Sequence, residues 1–288
     1  MKGMQGASPL AARSRWTGAL LIIGLVLVAK PAAAHNPIFT PGPHLVYQGG
    51  LETTIGYTRD RASGGGERET EQEIELEFEY GLTADWTAEV ELPFVAKDLN
   101  DNGSSGLGDV VLRSRYRFLR LDTPGVQRSA AVLGQVKLPT GDDDSSPRLG
   151  SGSTDFLGGL LYGHESRRWY YNLAARYRLN GEGGGGLEKG NRQFLDIAGG
   201  VRPVLTGYLE PDAVVFLELN WENAGRDDLN GADVADTGGW ELFLSPGIFA
   251  TYRNVALRAG VQIPIAHGLN GTQPESDYRF KVEIKYTF

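Results

Sequence analysis

The sequence contains no cysteine, and after residue 34 it contains no long apolar run. A chain without cysteine forms no disulfide framework, which is compatible with a location beyond the inner membrane. A membrane-spanning helix needs roughly 20 consecutive apolar residues. Any insertion of the later part of the chain into a membrane must therefore use β-strands.

The first residues of the chain predict a secretory signal. Three basic residues precede an apolar run from Trp16 to Ala29, and alanines at 32–34 supply the small residues that a signal peptidase needs. We expect residues 1–34 to be cleaved before His35, which leaves residues 35–288 as a single domain. The alternative is a retained membrane anchor, but the apolar run is shorter than the roughly 20 residues of a spanning helix.

Positive charge is also scarce. The chain has 28 basic and 36 acidic residues, and four of the basic residues, with no acid, lie in the predicted signal. The mature chain then has 24 basic against 36 acidic residues, a net charge of about −12. Nucleic acid is therefore not an expected partner, because its binding depends on clustered positive charge.

A strict alternation of apolar and charged residues begins near residue 73. Ile74, Leu76 and Phe78 alternate with glutamates, and after a short turn Trp86, Val90 and other apolar residues alternate with Thr87, Glu89 and Glu91. A helix would scatter these two sets around its circumference, whereas a strand places each set on its own face. The two segments predict a hairpin with one apolar and one acidic face.

The same period of two, or the spacing alone, predicts further strands to the end of the chain. Strands are expected at 45–57, 74–80, 86–94, 110–118, 129–139, 156–163, 169–177, 195–202, 213–221, 240–249, 255–263 and 278–288. Long polar connections are expected at 59–69, 96–106, 140–154, 180–191, 223–238 and 266–277, and shorter ones lie between them. This arrangement predicts an all-β fold: a transmembrane antiparallel up-and-down β-barrel of about twelve strands, with periplasmic termini and long extracellular loops.

Aromatic residues cluster at the strand ends next to the short turns. They are Tyr80, Trp86, Tyr116, Phe118, Trp169, Tyr171, Tyr252, Tyr286 and Phe288. Rings at this position favour the boundary between lipid and water, so outer-membrane lipids and lipopolysaccharide are expected partners.

The last residue, Phe288, ends an alternating strand and resembles the signal that the barrel-assembly machinery recognises. An ordinary soluble β-sandwich is the alternative, but it needs no aromatic band.

Several short motifs resemble those of a known family. They are Tyr80-Gly81-Leu82-Thr83, Glu91-Leu92-Pro93-Phe94, Gly106-Leu107-Gly108-Asp109, Leu138-Pro139-Thr140-Gly141-Asp142, Ser245-Pro246-Gly247 and Gln262-Ile263-Pro264. Together they resemble the outer-membrane, transporter-like family described as the putative MetA-pathway of phenol degradation. The resemblance spans most of the mature chain. It implies an exported barrel in the cell outer membrane, and a small organic or aromatic compound as the solute.

The charged strand faces are the candidate functional surface, because charge on a lipid face costs about 2–4 kcal/mol near the bilayer midplane. The predicted pore-lining residues are Glu73, Glu75, Glu77, Glu79, Glu89, Glu91, Arg113, Arg115, Arg117, Arg176, Arg178, Glu218, Glu222, Arg258, Arg279, Lys281 and Lys285. Acidic and basic walls would create a transverse field that orients dipolar or charged solutes. Alternatively, Glu89 and Glu91 pair with Arg113 and Arg115 and fill a narrow lumen.

The predicted function is passive uptake of small molecules through an outer-membrane channel. A closed structural or adhesion barrel is the main alternative, and an outer-membrane hydrolase is less favoured. A hydrolase needs a serine hydrogen-bonded to an oriented histidine, and His164 with Ser166 is the only neighbouring pair, beside a predicted periplasmic turn. No catalytic residue, cofactor or metal site is therefore predicted.

Overall fold

The computed structural model describes residues 36–207 and 210–288, and the predicted signal cleavage lies outside them. Almost all regular structure in these residues is β-strand, and one short 3-10 turn spans Gly184–Gly186. Within the described ranges, no helix has the length and hydropathy needed to span a bilayer.

The described residues contain sixteen strands. They are β1 (Leu51–Gly64), β2 (Glu67–Thr83), β3 (Trp86–Leu99), β4 (Asn102–Leu107), β5 (Val111–Thr123), β6 (Val126–Lys137), β7 (Asp155–Ser166), β8 (Trp169–Leu179), β9 (Leu187–Glu188), β10 (Arg192–Val201), β11 (Asp212–Ala224), β12 (Asp228–Leu229), β13 (Ala232–Asp233), β14 (Gly239–Tyr252), β15 (Val255–Leu269) and β16 (Glu275–Thr287).

Thirteen of these strands form one closed antiparallel sheet. β1 pairs with both β2 and β16, and β2 also pairs with β3, so the ends of the sheet meet. β4 pairs with β3 from Phe94 to Leu99, while β5 pairs with β3 from Trp86 to Glu91. β4 and β5 thus share one position in the wall. The barrel therefore has 12 strand positions, and the predicted strand number is confirmed.

Short turns and long connections lie at opposite ends of the barrel, which we call the short-turn end and the long-loop end. Tight turns follow β2, β5, β7 and β14 at the short-turn end, where the Phe288 N–H also donates to the Leu51 carbonyl. At the long-loop end β9, β12 and β13 form a small separate sheet within the connections. Which end faces the periplasm stays a prediction.

Two predicted loops are in fact hairpins. In place of a loop over 59–69, β1 and β2 continue their pairing to Gly64 and Glu67 and turn at Gly65 and Gly66. In place of a loop over 96–106, β3 and β4 turn at Asn100 and Asp101, whose φ angles of 53° and 67° suit a two-residue type I′ turn. In both hairpins the strands extend beyond the belt of the barrel that faces lipid. There both faces of each strand are polar, so the alternation of hydropathy disappears.

The predicted strand over 45–57 begins too early, because β1 starts at Leu51. Residues 36–50, which we call the plug segment, form no strand. The side chain of Ile38 in this segment belongs to an apolar cluster inside the barrel that includes Val214, Phe216 and Phe249. Proline at positions 37, 41 and 43 explains why the segment does not join the wall, because proline cannot donate to a strand ladder.

Candidate functional site: a charged lumen with a plug

The seventeen predicted pore-lining side chains are all buried or half-buried, whereas their apolar neighbours along each strand point outward. On the outer surface Leu160, Ile197 and Leu217 expose 60%, 58% and 54% of their area. The charged side chains also contact residues on strands that are not their neighbours, which is possible only across the interior. Their role in solute passage stays a prediction.

The acidic faces of β2 and β3 are bridged by two arginines on β5. Arg113 contacts Glu89, and its Nη2 lies 2.8 Å from Oε2 of Glu91. Arg115 Nη2 lies 2.5 Å from Glu79 and 3.1 Å from Glu89. These contacts include the pairings of the filled-lumen alternative, and they neutralise part of this acidic wall.

A second ionic cluster joins β16 to β1, β2 and β15. Lys281 Nζ lies 3.2 Å from Glu75 and 2.6 Å from Glu283, and Arg258 also contacts Glu283. Lys285 Nζ lies 2.8 Å from Glu52. Glu283 and Glu52 are not among the predicted pore-lining residues, although Glu283 alternates with apolar residues in the same way as the lysines beside it.

Other predicted residues have separate partners. Arg176 Nη2 lies 2.7 Å from Asp196, and Arg279 Nη1 lies 2.7 Å from Glu222. Arg117 points to the short-turn end, where its Nη2 lies 2.8 Å from Asp85, so it does not join the other β5 arginines. Glu73 and Arg178 form no salt bridge with a residue in the described ranges, and the guanidinium of Arg178 lies 5.5 Å from the ring centroid of Phe194.

The Glu218 carboxylate binds the backbone of the plug segment instead of a cationic side chain. It accepts hydrogen bonds from the backbone N–H groups of Ile38 at 2.8 Å, Phe39 at 3.2 Å and Thr40 at 2.7 Å. Three charge-assisted bonds to one buried carboxylate fix the tip of the segment on the inner face of β11.

Further contacts hold the two sides of the plug segment. The Pro37 carbonyl accepts a hydrogen bond from Arg258 at 3.2 Å, and the Nε2 of His44 lies 3.2 Å from Glu165. The Gly49 N–H donates to the Gly81 carbonyl at 2.8 Å, at the short-turn end. The segment therefore enters from the short-turn end, reaches Glu218 near the middle of β11, and returns to begin β1.

Cavities lie on both sides of the plug segment. A cavity of about 380 Å³ lies at the long-loop end, and we call it the mouth cavity. Near the plug segment, a cavity of about 50 Å³ is lined by Asn36, Glu52, Glu79 and Arg258 among others. At the short-turn end a further cavity of about 630 Å³ is lined by His44, Tyr47 and Arg117 among others, so open space also lies on that side of the plug segment.

Three groups of lumenal carboxylates have oxygen atoms within 4.8 Å of one another, and all of them include Glu75 or Glu77. Lys281 and Arg113 already bridge members of these groups.

The pair considered for hydrolysis, His164 and Ser166, also has other contacts. The Ser166 hydroxyl donates to the Trp169 carbonyl at 2.9 Å, and the His164 ring packs on Tyr171 at a centroid distance of 5.7 Å.

The outer surface of the barrel carries aromatic side chains near the short-turn end and apolar side chains next to them. Trp86, Tyr116, Trp169, Tyr171 and Tyr252 each expose about half of their area near the short-turn end, below a belt of exposed leucine and isoleucine. A closed barrel with an apolar outer belt, an aromatic girdle and an ionic lumen is a transmembrane β-barrel of the outer-membrane class.

The chain belongs to the family described as the putative MetA-pathway of phenol degradation, whose model matches residues 34–266. No curated protein matches the sequence. Among solved structures, the fold is similar to the COG4313 outer membrane channel from Pseudomonas putida F1, with a TM-score of 0.68, 17% identity, and coverage of 86% of this chain and 99% of that chain.

The fold is also similar to the beta domain of the Bordetella autotransporter BrkA. That match has a TM-score of 0.52 and 15% identity, and it covers 84% of this chain and 100% of that chain. At these identities the two comparisons establish the barrel fold alone. The location of the chain in the outer membrane follows from the closed barrel and its apolar outer belt. The comparisons leave the solute open.

Proposed function

We propose that the protein is a gated outer-membrane channel for small organic solutes, in which the plug segment moves to open the short-turn half of the lumen. The observation that carries this proposal is the position of residues 36–50 inside the barrel, below an open cavity of about 380 Å³. The segment is held by non-covalent contacts, chiefly the hydrogen bonds to Glu218 and the packing of Ile38, so loss of these contacts can release it from the lumen.

Two comparisons support the proposal. The similar barrel from Pseudomonas putida F1 is described as an outer membrane channel, and the family description refers to a pathway of phenol degradation. A small organic compound as solute follows from the second of these only by analogy, because similar barrels serve different functions.

The second candidate function is a closed structural barrel. It is favoured by the bridging of the acidic wall by Arg113 and Arg115, and by the plug segment itself. The two candidates differ in one measurable property, because a closed barrel passes no ions even when the contacts of the plug segment are weakened.

The test compares ion conductance of the purified wild-type barrel and Glu218→Ala in planar bilayers. The substitution removes the acceptor of three backbone N–H groups, each of which costs about 1–3 kcal/mol when left buried without a partner. We expect the open fraction of the channel to rise about tenfold or more, since 1.4 kcal/mol corresponds to a factor of ten.

Glu222→Ala is the matched control. Glu222 lies on the same face of β11 and pairs with Arg279, but it makes no hydrogen bond to the plug segment. An equal response of the two variants would show that loss of lumenal charge, and not release of the plug segment, controls conductance. Absence of conductance in all three proteins would favour the closed barrel.

A further inference from the structure

Opposite walls of the mouth cavity carry charges of opposite sign. One wall is formed by the end of β10 and the connection before it, and it contributes Lys189 and Arg192. The facing wall is formed by β1 and β2, and it contributes Asp60 and Glu69. In the closed ring of 12 strand positions, β2 and β10 lie diametrically opposite each other.

The two cations of the basic wall form no direct salt bridge, and Asp227 and Glu222, which also line the cavity, act on them only from a distance. Neither Lys189 nor Arg192 forms a salt bridge within residues 36–207 and 210–288, and Arg192 lies directly opposite Arg178 in the β8–β10 ladder. Like charges at directly opposite positions of an antiparallel pair destabilise the sheet. Desolvation within the mouth, followed by the charges of Lys97, Arg192 and Lys137, lowers the pKa of Lys189. An anionic group bound here would relieve this crowding.

The acidic wall is also incompletely paired. The Glu69 carboxylate forms no hydrogen bond or salt bridge with any residue that the structure describes, and the Asp60 carboxylate approaches Arg279 only to 4.0 Å. Most other charged residues that line the cavity are engaged. Arg279 pairs with Glu222 at 2.7 Å, and Glu241 accepts hydrogen bonds from Ser276.

We propose that the mouth cavity binds small zwitterions whose two charges are several bonds apart, such as ω-amino acids or short peptides. The carboxylate of the solute binds Lys189 and Arg192, and its ammonium group binds Glu69 and Asp60. The cavity thereby selects and orients a solute before the plug segment opens. This inference rests on the proposed channel function for its purpose, but the binding itself is measurable without transport.

The probe is 6-aminohexanoate, with hexanoate and hexylammonium as controls that each keep one of its charges. Calorimetric titration of the detergent-solubilised full barrel measures the three affinities. We expect 6-aminohexanoate to bind about tenfold or more tightly than either control, because it alone forms charge-assisted contacts with both walls. Equal affinities for the three probes, or hexanoate binding as tightly as 6-aminohexanoate, would overturn the inference.

Substitutions in each wall test which residues bind the carboxylate and which bind the ammonium group of the solute. Lys189→Gln with Arg192→Gln, and separately Asp60→Asn with Glu69→Gln, should each reduce the affinity for 6-aminohexanoate to the level of the one-charge controls. Arg68→Gln is the matched control, because Arg68 bonds Asp101 at 2.8 Å and does not line the cavity. Unchanged affinity in both double variants, with the barrel still folded by its heat-dependent gel mobility, would also overturn the inference.

The outcomes separate this inference from the proposed function. A barrel that conducts ions but does not bind the zwitterion preferentially retains the channel function and loses the binding site. A barrel that binds the zwitterion on both walls but never conducts retains the binding site and loses the channel function.

Discussion

At the residue scale, the lumen contains carboxylates with two different tasks. Glu218 accepts backbone N–H groups of the plug segment, whereas Glu283 lies between the cations of Arg258 and Lys281. The two glutamates have the same alternating context in the sequence, and both are almost fully buried. Their tasks differ because their partners come from distant parts of the chain, which alternation alone does not encode.

The buried position of Glu283 predicts a large loss of stability when its charge is removed. Glu283→Gln leaves Arg258 and Lys281 without their shared carboxylate, and breaking a buried ion pair costs about 3–5 kcal/mol. Urea unfolding of the barrel in lipid vesicles measures this change in the free energy of unfolding. Glu275→Gln is the control on the same strand, because the Glu275 side chain is 53% exposed and its carboxylate lies 3.3 Å from Nε2 of the half-exposed His267. Equal stability of the two variants would show that the cluster around Glu283 does not stabilise the barrel.

At the element scale, alternation predicts strands well wherever one face meets lipid and the other meets the lumen. β8 and β16 satisfy this condition, and their predicted positions are close to the observed ones. The ends of β1 through β4 at the long-loop end do not satisfy it, because both faces meet water. The glycine and charged residues in that part of the sequence therefore predict a loop, although the paired strands continue to the Gly64–Glu67 turn.

The lipid-facing side of β8 gives a depth-dependent prediction. Leu173 and Leu179 both point outward, but Leu173 lies near the middle of β8 and Leu179 ends it. Leu173→Arg should lower the free energy of unfolding by about 2–4 kcal/mol, and Leu179→Arg by about 0–1 kcal/mol, because the cost of charge falls toward the interface. Vesicle-based urea unfolding measures both. A greater loss for Leu179→Arg would contradict the placement of β8 in the bilayer.

At the scale of the whole molecule, the sequence predicts the wall of the barrel but not the contents of its lumen. The inward direction of the charged faces follows from the cost of charge in lipid. The plug segment could not be predicted in the same way, because it shows no periodicity and its main partner, Glu218, lies about 180 residues away. Its proline content was the one local signal that it is not a strand.

The central claim is that solutes pass through the lumen only when the plug segment moves. The absence of cysteine allows a direct test with Ile38→Cys and Gly260→Cys, since a Cβ atom at position 260 would lie 3.2 Å from Cγ2 of Ile38. Cγ2 is one bond from the Cβ atom of Ile38, so the two Cβ atoms are at most one bond length farther apart, which overlaps the about 3.5–4.5 Å between Cβ atoms that a disulfide needs. The measurement is conductance of this double variant in planar bilayers before and after reduction, with each single variant as a control. The account predicts that oxidation suppresses conductance and that reduction restores it. Equal conductance of the oxidised and reduced barrel, with the disulfide verified, would contradict it.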